Sequence, residues 1–157
     1  MTSPAHEGIH RYLTLAARLF LGAVFIFASI DKIAAPEPFA IAVEAYKILP
    51  YPLINLFALV VPWLELLCGI FLIAGYNIRG SAIVASALLT GFTAAILSAM
   101  ARSLNIDCGC FGEAYQAPVG WARVLEDLGL LLLGAYLYLR APGAKTQPAS
   151  EEPPPTI

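Results

Sequence analysis

"LINLFALVVPWLELLCGIFLIAGYNIRGSAIVASALLTGFTAAILSAM", residues 53–100, decides the fold of this chain. It holds two apolar runs, 53–76 and 81–100, parted only by the short interval 77–80. Each run exceeds the roughly 18 apolar residues that suffice for a membrane-spanning helix. Helices are the required form, because lipid offers no partners for unpaired backbone groups. The interval between the runs is a tight turn, so the two read as an antiparallel helical hairpin. The first run contains Pro62 and Glu65, and the second carries no charge.

Two more spans lie outward of this hairpin. The run 12–30 is interrupted only by Arg18, and the run 121–139 carries Arg123, Glu126 and Asp127 in its first two turns. Composition agrees: 59% of the residues are hydrophobic, 13% are charged, and the mean hydropathy is +0.75. A soluble domain carries roughly 25% charged and about 45–50% apolar residues. The 157 residues fit one compact membrane domain. A net charge of -2 and the lack of any basic run exclude a nucleic-acid partner. The expected fold is an all-α membrane protein, a four-transmembrane-helix bundle with both termini on one side. The span 12–30 is too long for a cleaved signal peptide, and no small-residue cleavage site follows it. Residues 1–10 read as a flexible lead and 11–140 as the membrane domain. The tail 141–157, "APGAKTQPASEEPPPTI", reads as disordered from its proline and polar content.

Between the first and second spans lies "PEPFAIAVEAYKILPYP". Phe39, Ala42, Val43 and Tyr46 recur at helical spacing between prolines that stop a helix. This predicts a short amphipathic helix, lying either in the membrane interface or as a re-entrant cap over the bundle. Sidedness is not encoded in basic residues. Arg11, Arg79, Arg140 and Lys145 fall on the side of the termini, and Lys32, Lys47, Arg102 and Arg123 on the other.

That other side carries "NIDCGCFGEA", residues 105–114. A disulfide needs Cα atoms about 4.4–6.8 Å apart. Cys108 and Cys110 reach the short end of that range only in a bent conformation, which Gly109 permits. The resulting ring is strained, and strained exposed disulfides are the labile, catalytic kind. Asp107 opposes a thiolate at Cys108, while Arg102 and Arg123, flanking the loop, favour it. Two other readings stand beside the redox one: metal ligation, and small loop residues without chemistry. Zinc needs four ligands, or three and water. The loop offers two thiols with Asp107 and Glu113, and His6 and His10 fall on the opposite face, so no metal is assigned. Only a homodimer pooling two loops would bring four sulfurs together. Cys68, in mid-span, reads as inert packing. Persistent disulfide chemistry places the loop outside the cytosol and both termini inside it.

Charges within the spans cost about 2.5–3.5 kcal/mol each on insertion scales and therefore seek partners. Arg18 and Glu65 lie at depths differing by about 7 Å at 1.5 Å per residue, which predicts an Arg18–Glu65 pair. Arg123 stands three residues from Glu126 and four from Asp127, so local pairing is expected there. Lys32 closes the first span, where it can snorkel to the interface.

"RLFLGAVFIFASIDKI" (18–33), "PEPFAIAVEAYKILP" (36–50) and "PWLELLCGIFLIAG" (62–75) resemble the DoxX and MauE families of small four-helix bacterial membrane proteins. The resemblance rests on Arg18, Gly22, Lys32, Phe39, Tyr46, Pro50, Pro62, Glu65, Gly69 and Gly75. The motif "CGCFG", Cys108-Gly109-Cys110-Phe111-Gly112, inclines it to the redox-associated MauE side. What it implies is a multi-pass protein of the bacterial inner membrane with a periplasmic loop. It also implies a part in methylamine utilisation, in maturation of a disulfide-rich periplasmic dehydrogenase subunit. The layout is similar to that of the DsbB and vitamin K epoxide reductase families, which use a C-x-x-C, a second cysteine pair and a quinone. With one pair here, a thioredoxin-like or disulfide-containing substrate protein has to meet Cys108 or Cys110 directly, and a quinone enters by analogy of layout alone. Two functions follow: a thiol-disulfide oxidoreductase, or a non-catalytic membrane subunit or scaffold of a DoxX-like oxidase or assembly complex.

Overall fold

The computed structural model describes residues 4–104, 106 and 119–140, with side chains from His10 onward. Among them are five helices: α1 (Pro4–Ala34), α2 (Pro36–Ala45), α3 (Tyr51–Ala74), α4 (Ile78–Ala101) and α5 (Trp121–Arg140). The lead expected to be flexible, 1–10, is helical from Pro4, so α1 starts well before the apolar run it carries.

Local chemistry sets the breaks. Ala35 precedes Pro36 and takes φ -135, because the residue before a proline is pushed out of the helical region. Pro36 then occupies the first turn of α2, where a missing N–H costs nothing. At the far end of α3, Gly75 adopts φ 77, and the Tyr76 N–H donates to the Phe71 carbonyl at 3.0 Å. Asn77, also left-handed, opens α4, its side chain accepting from the Gly80 N–H at 3.3 Å. The turn expected at 77–80 therefore lies at 75–77, where two left-handed residues, Gly75 and Asn77, close the α3–α4 hairpin, and 78–80 are already the first turn of α4.

The hairpin does not pack chiefly on itself. The main neighbour of α3 is α1 and that of α4 is α5, while α2 lies across α3 and α1. The α1–α3 seam is backbone on backbone. A Cβ at Gly22 would lie 2.9 Å from the Gly69 carbonyl oxygen, and one at Gly69 would lie 2.8 Å from that of Gly22. Small residues permit this approach, the usual basis of helix association in lipid. Gly69→Val is therefore expected to destabilise the protein by about 1–3 kcal/mol through overpacking. Unfolding in detergent micelles checks this, and an unchanged transition would disprove the seam.

Leu21, Leu72, Ala82, Ala85 and Leu137 are fully buried at the centre of the bundle. Large apolar side chains such as Phe27 (68% exposed), Leu59 (58%) and Leu132 (73%) face outward. That surface suits lipid and would be an aggregation hazard in water. Three helical segments are long and apolar enough to cross a membrane: His10–Ala34, Tyr51–Ala74 and Ile78–Ala101. The fourth expected span, α5, is not among them, because Arg123, Glu126 and Asp127 crowd its first two turns.

Candidate functional site

The charged core of the bundle is assembled by α1, α3, α4 and α5, with α2 closing over it. Lys32 is 2% exposed and Glu65 3% exposed. The Lys32 ammonium donates to both oxygens of the Glu65 carboxylate at 2.9 Å. The same ammonium lies 5.0 Å from the ring centroid of Phe39 on α2 and 5.1 Å from that of Phe92 on α4. Aromatic faces attract a cation this close, so the desolvated charge is stabilised on three sides.

This overturns the expected Arg18–Glu65 pair, and the snorkelling of Lys32. The physical reason is register and lean. With Gly22 opposite Gly69, the Arg18 and Glu65 positions stand about 12 Å apart along the antiparallel helices, and those of Lys32 and Glu65 about 9 Å. Helical side chains lean toward their own N-terminus. Lys32 and Glu65 therefore lean toward each other, whereas Arg18 and Glu65 lean apart. Arg18 turns instead to the end of α3, where Nε donates to the Leu72 carbonyl at 3.0 Å and Nη2 to the Ile73 carbonyl at 3.2 Å. Those carbonyls lie in the last turn of α3, at the negative end of the helix dipole, and that of Leu72 also accepts the Gly75 N–H at 3.3 Å. Gly75 supplies the left-handed conformation, and a Cβ there would meet the Arg18 guanidinium and make it shift from this cap.

Beside the pair, the Thr93 hydroxyl lies 3.2 Å from Asp127 Oδ2. Lys32, Glu65 and Asp127 share a cavity of about 40 Å³ with Phe25, Leu89 and Phe92 among its walls. A larger apolar groove, about 500 Å³, opens between α2, α3 and α4, with Phe39, Val43, Phe57, Leu88 and Phe92 in its walls and Tyr46 and Ser98 as its polar edges. The residues that sequence reasoning missed are Thr93, Phe39 and Phe92 as parts of this site, and Lys32 as the partner of Glu65. The lean of side chains along two antiparallel spans was the available signal.

The expected redox residues, Cys108 and Cys110, with Asp107, Gly109, Phe111 and Gly112, lie outside the described residues. Their flanks are described. The Val119 N–H donates to the Ile106 carbonyl at 3.0 Å, joining the two ends of the segment. Arg102 donates to the carbonyls of Ser98 and Tyr46, and Arg123 pairs with Glu126, as its spacing predicts. Arg102 is thereby tied to both polar edges of the groove. Among the described residues no group of His, Cys, Asp and Glu is arranged to hold a metal. Cys68 is buried and free, its thiol donating to the Ser81 carbonyl at 3.0 Å.

An outward apolar surface around a desolvated ion pair, with a cross-linked loop base at one end, defines a helical membrane protein with a charged core. The family model described as "Methylamine utilisation protein MauE" matches residues 10–140. The methylamine utilization protein MauE of Paracoccus denitrificans is 32% identical over 130 residues, spanning 82% of this chain and 70% of that protein. That of Methylophilus methylotrophus is 36% identical over 127 residues, 80% of this chain and 67% of its own length. That of Methylorubrum extorquens is 34% identical over 136 residues, 84% and 73% respectively. The chain belongs to the MauE family. No solved structure matches it.

Proposed function

We propose that this protein is a membrane accessory of methylamine utilisation, the process for which its relatives are named, and that Cys108 and Cys110 carry thiol-disulfide exchange with a periplasmic substrate protein. The redox reading is supported chiefly by the loop base. The Ile106–Val119 hydrogen bond and the anchored Arg102 give the cysteine segment a fixed point of departure from the bundle. In this reading α5 is the fourth span, both termini are cytoplasmic, and the protein sits in the bacterial inner membrane. The charges of α5 are tolerable there because Asp127 turns to Thr93 and Arg123 pairs with Glu126.

The chemistry balances as an exchange. A partner thiolate attacks one sulfur of the Cys108–Cys110 disulfide, the other sulfur leaves as a thiolate, and a second partner thiolate resolves the mixed disulfide. The partner loses two electrons and the loop gains them. Return to the disulfide passes the two electrons to a second disulfide protein or to a quinone.

Thiol trapping with a mass tag, before and after reductant, tests the reading. Two loop thiols that appear only after reduction are expected in native membranes. Thiols already free there would leave the non-catalytic scaffold as the function. Placement is tested separately with a membrane-impermeant maleimide on spheroplasts after mild reduction. Labelling of Cys108 and Cys110 and sparing of Cys68, which is 3% exposed, is the expected result. Labelling of the loop only after the membrane is broken would place it in the reducing cytosol.

A further inference from the structure

The cluster is uneven in charge, with Lys32 and Glu65 buried and Asp127 half-buried. Lys32 brings one ammonium, Glu65 a carboxyl and Asp127 a second carboxyl to one small cavity. Lys32 is committed to both oxygens of Glu65, which neutralises that pair. An ionised Asp127 would leave one net negative charge facing apolar walls, which is costly in such surroundings.

Thr93 carries the argument further. It is 8% exposed, and its hydroxyl oxygen lies 2.8 Å from the Leu89 carbonyl oxygen and 3.2 Å from Asp127 Oδ2. A hydroxyl has one proton to donate and lone pairs to accept with. The Leu89 carbonyl only accepts, so the shorter contact takes the Thr93 proton. The contact to Asp127 then lacks a proton unless the carboxyl supplies one, and two bare oxygens at that distance would repel. With the proton on Asp127, each of the two contacts of the Thr93 hydroxyl carries a proton.

We propose that Asp127 is a proton-binding site of this protein, its carboxyl held as the neutral acid at neutral pH and donating to Thr93 beside the Lys32–Glu65 pair. The groups facing it are known from each element. They are Lys32 on α1, Tyr46 at the C-terminal end of α2, Glu65 on α3, Thr93 on α4, and the Arg123 and Glu126 of its own helix, which bond each other. The Tyr46 phenol is pushed up to about 12, chiefly by burial, so it stays protonated and takes no proton from Asp127. The assignment stands independently of the loop cysteines.

Infrared spectroscopy of the full chain in lipid bilayers tests it. The carbonyl stretch of a protonated carboxylic acid is expected at neutral pH, lost completely in Asp127→Asn and kept in Glu65→Gln. No such band in the unmodified protein, or its survival in Asp127→Asn, overturns the proposal. A second measurement needs no variant. A hydrophobic carbodiimide adds across a protonated carboxyl, the acid proton passing to nitrogen and the acyl group ending in a stable N-acylurea. Peptide mapping is expected to find the adduct on Asp127, and an adduct on Glu65 in its place overturns the assignment.

Discussion

Lys32→Met and Glu65→Leu are each expected to lower the stability of the folded protein by about 3–5 kcal/mol, the cost of stranding one buried charge without its partner. Neither group reaches solvent, and the geometry offers the survivor little relief. Without Glu65, the Lys32 ammonium keeps only the faces of Phe39 and Phe92, an attraction of about 2 kcal/mol when desolvated. Without Lys32, the Glu65 carboxylate faces apolar walls and the second carboxyl of Asp127. The double substitution fills the space with apolar atoms and should regain most of the loss. A double-mutant cycle on unfolding in micelles measures the coupling. Strictly additive losses would show that the two residues stabilise the bundle separately. Lys32→Arg is not a neutral exchange, because a planar guanidinium has to fit where a compact ammonium sits between two rings.

The second large effect is functional. Replacing either Cys108 or Cys110 by Ser should abolish maturation of the substrate protein while leaving the amount of membrane-inserted protein unchanged. Disulfide exchange needs both sulfurs, one to be attacked and one to leave, so a single serine stops the cycle. Stability should not follow, because the core is built from residues elsewhere, from Leu21 to Leu137. Normal maturation in both single mutants would end the redox reading. A parallel fall in protein level would instead assign the cysteines a structural role. Lys32→Met, by contrast, should reduce accumulation first and activity only in proportion, so the two sets of variants separate folding from chemistry.

The residues that carry the family resemblance are largely those that the tertiary structure gathers. Gly22 and Gly69 meet at the α1–α3 seam, Arg18 closes over Gly75, and Lys32, Glu65 and Phe39 form the charged core. In the sequence they are scattered over almost sixty positions and say nothing of their partners. Arg18 and Glu65 looked like a pair because depth was counted from span ends alone. The true choice depends on which glycine faces which, and on the direction in which side chains lean.

From the sequence by itself follow the helical hairpin at 53–100 with a tight turn between its arms, the short helix between prolines, the local Arg123–Glu126 pairing and the kinship with MauE. Each rests on local chemistry: lipid forbids unpaired backbone, glycine and asparagine accept left-handed turns, and prolines end helices. The loop cysteines are likewise a reading of local spacing. Only the tertiary structure decided that Glu65 meets Lys32, that Phe39 and Phe92 enclose the ammonium, that Arg18 caps α3, and that Thr93 meets Asp127. Apart from Lys32 and Phe39, these contacts join residues thirty or more positions apart. Along α1 and α3 they are set by the close approach of Gly22 and Gly69, where neither backbone leaves room for a Cβ, and this fixes a register that no local pattern contains.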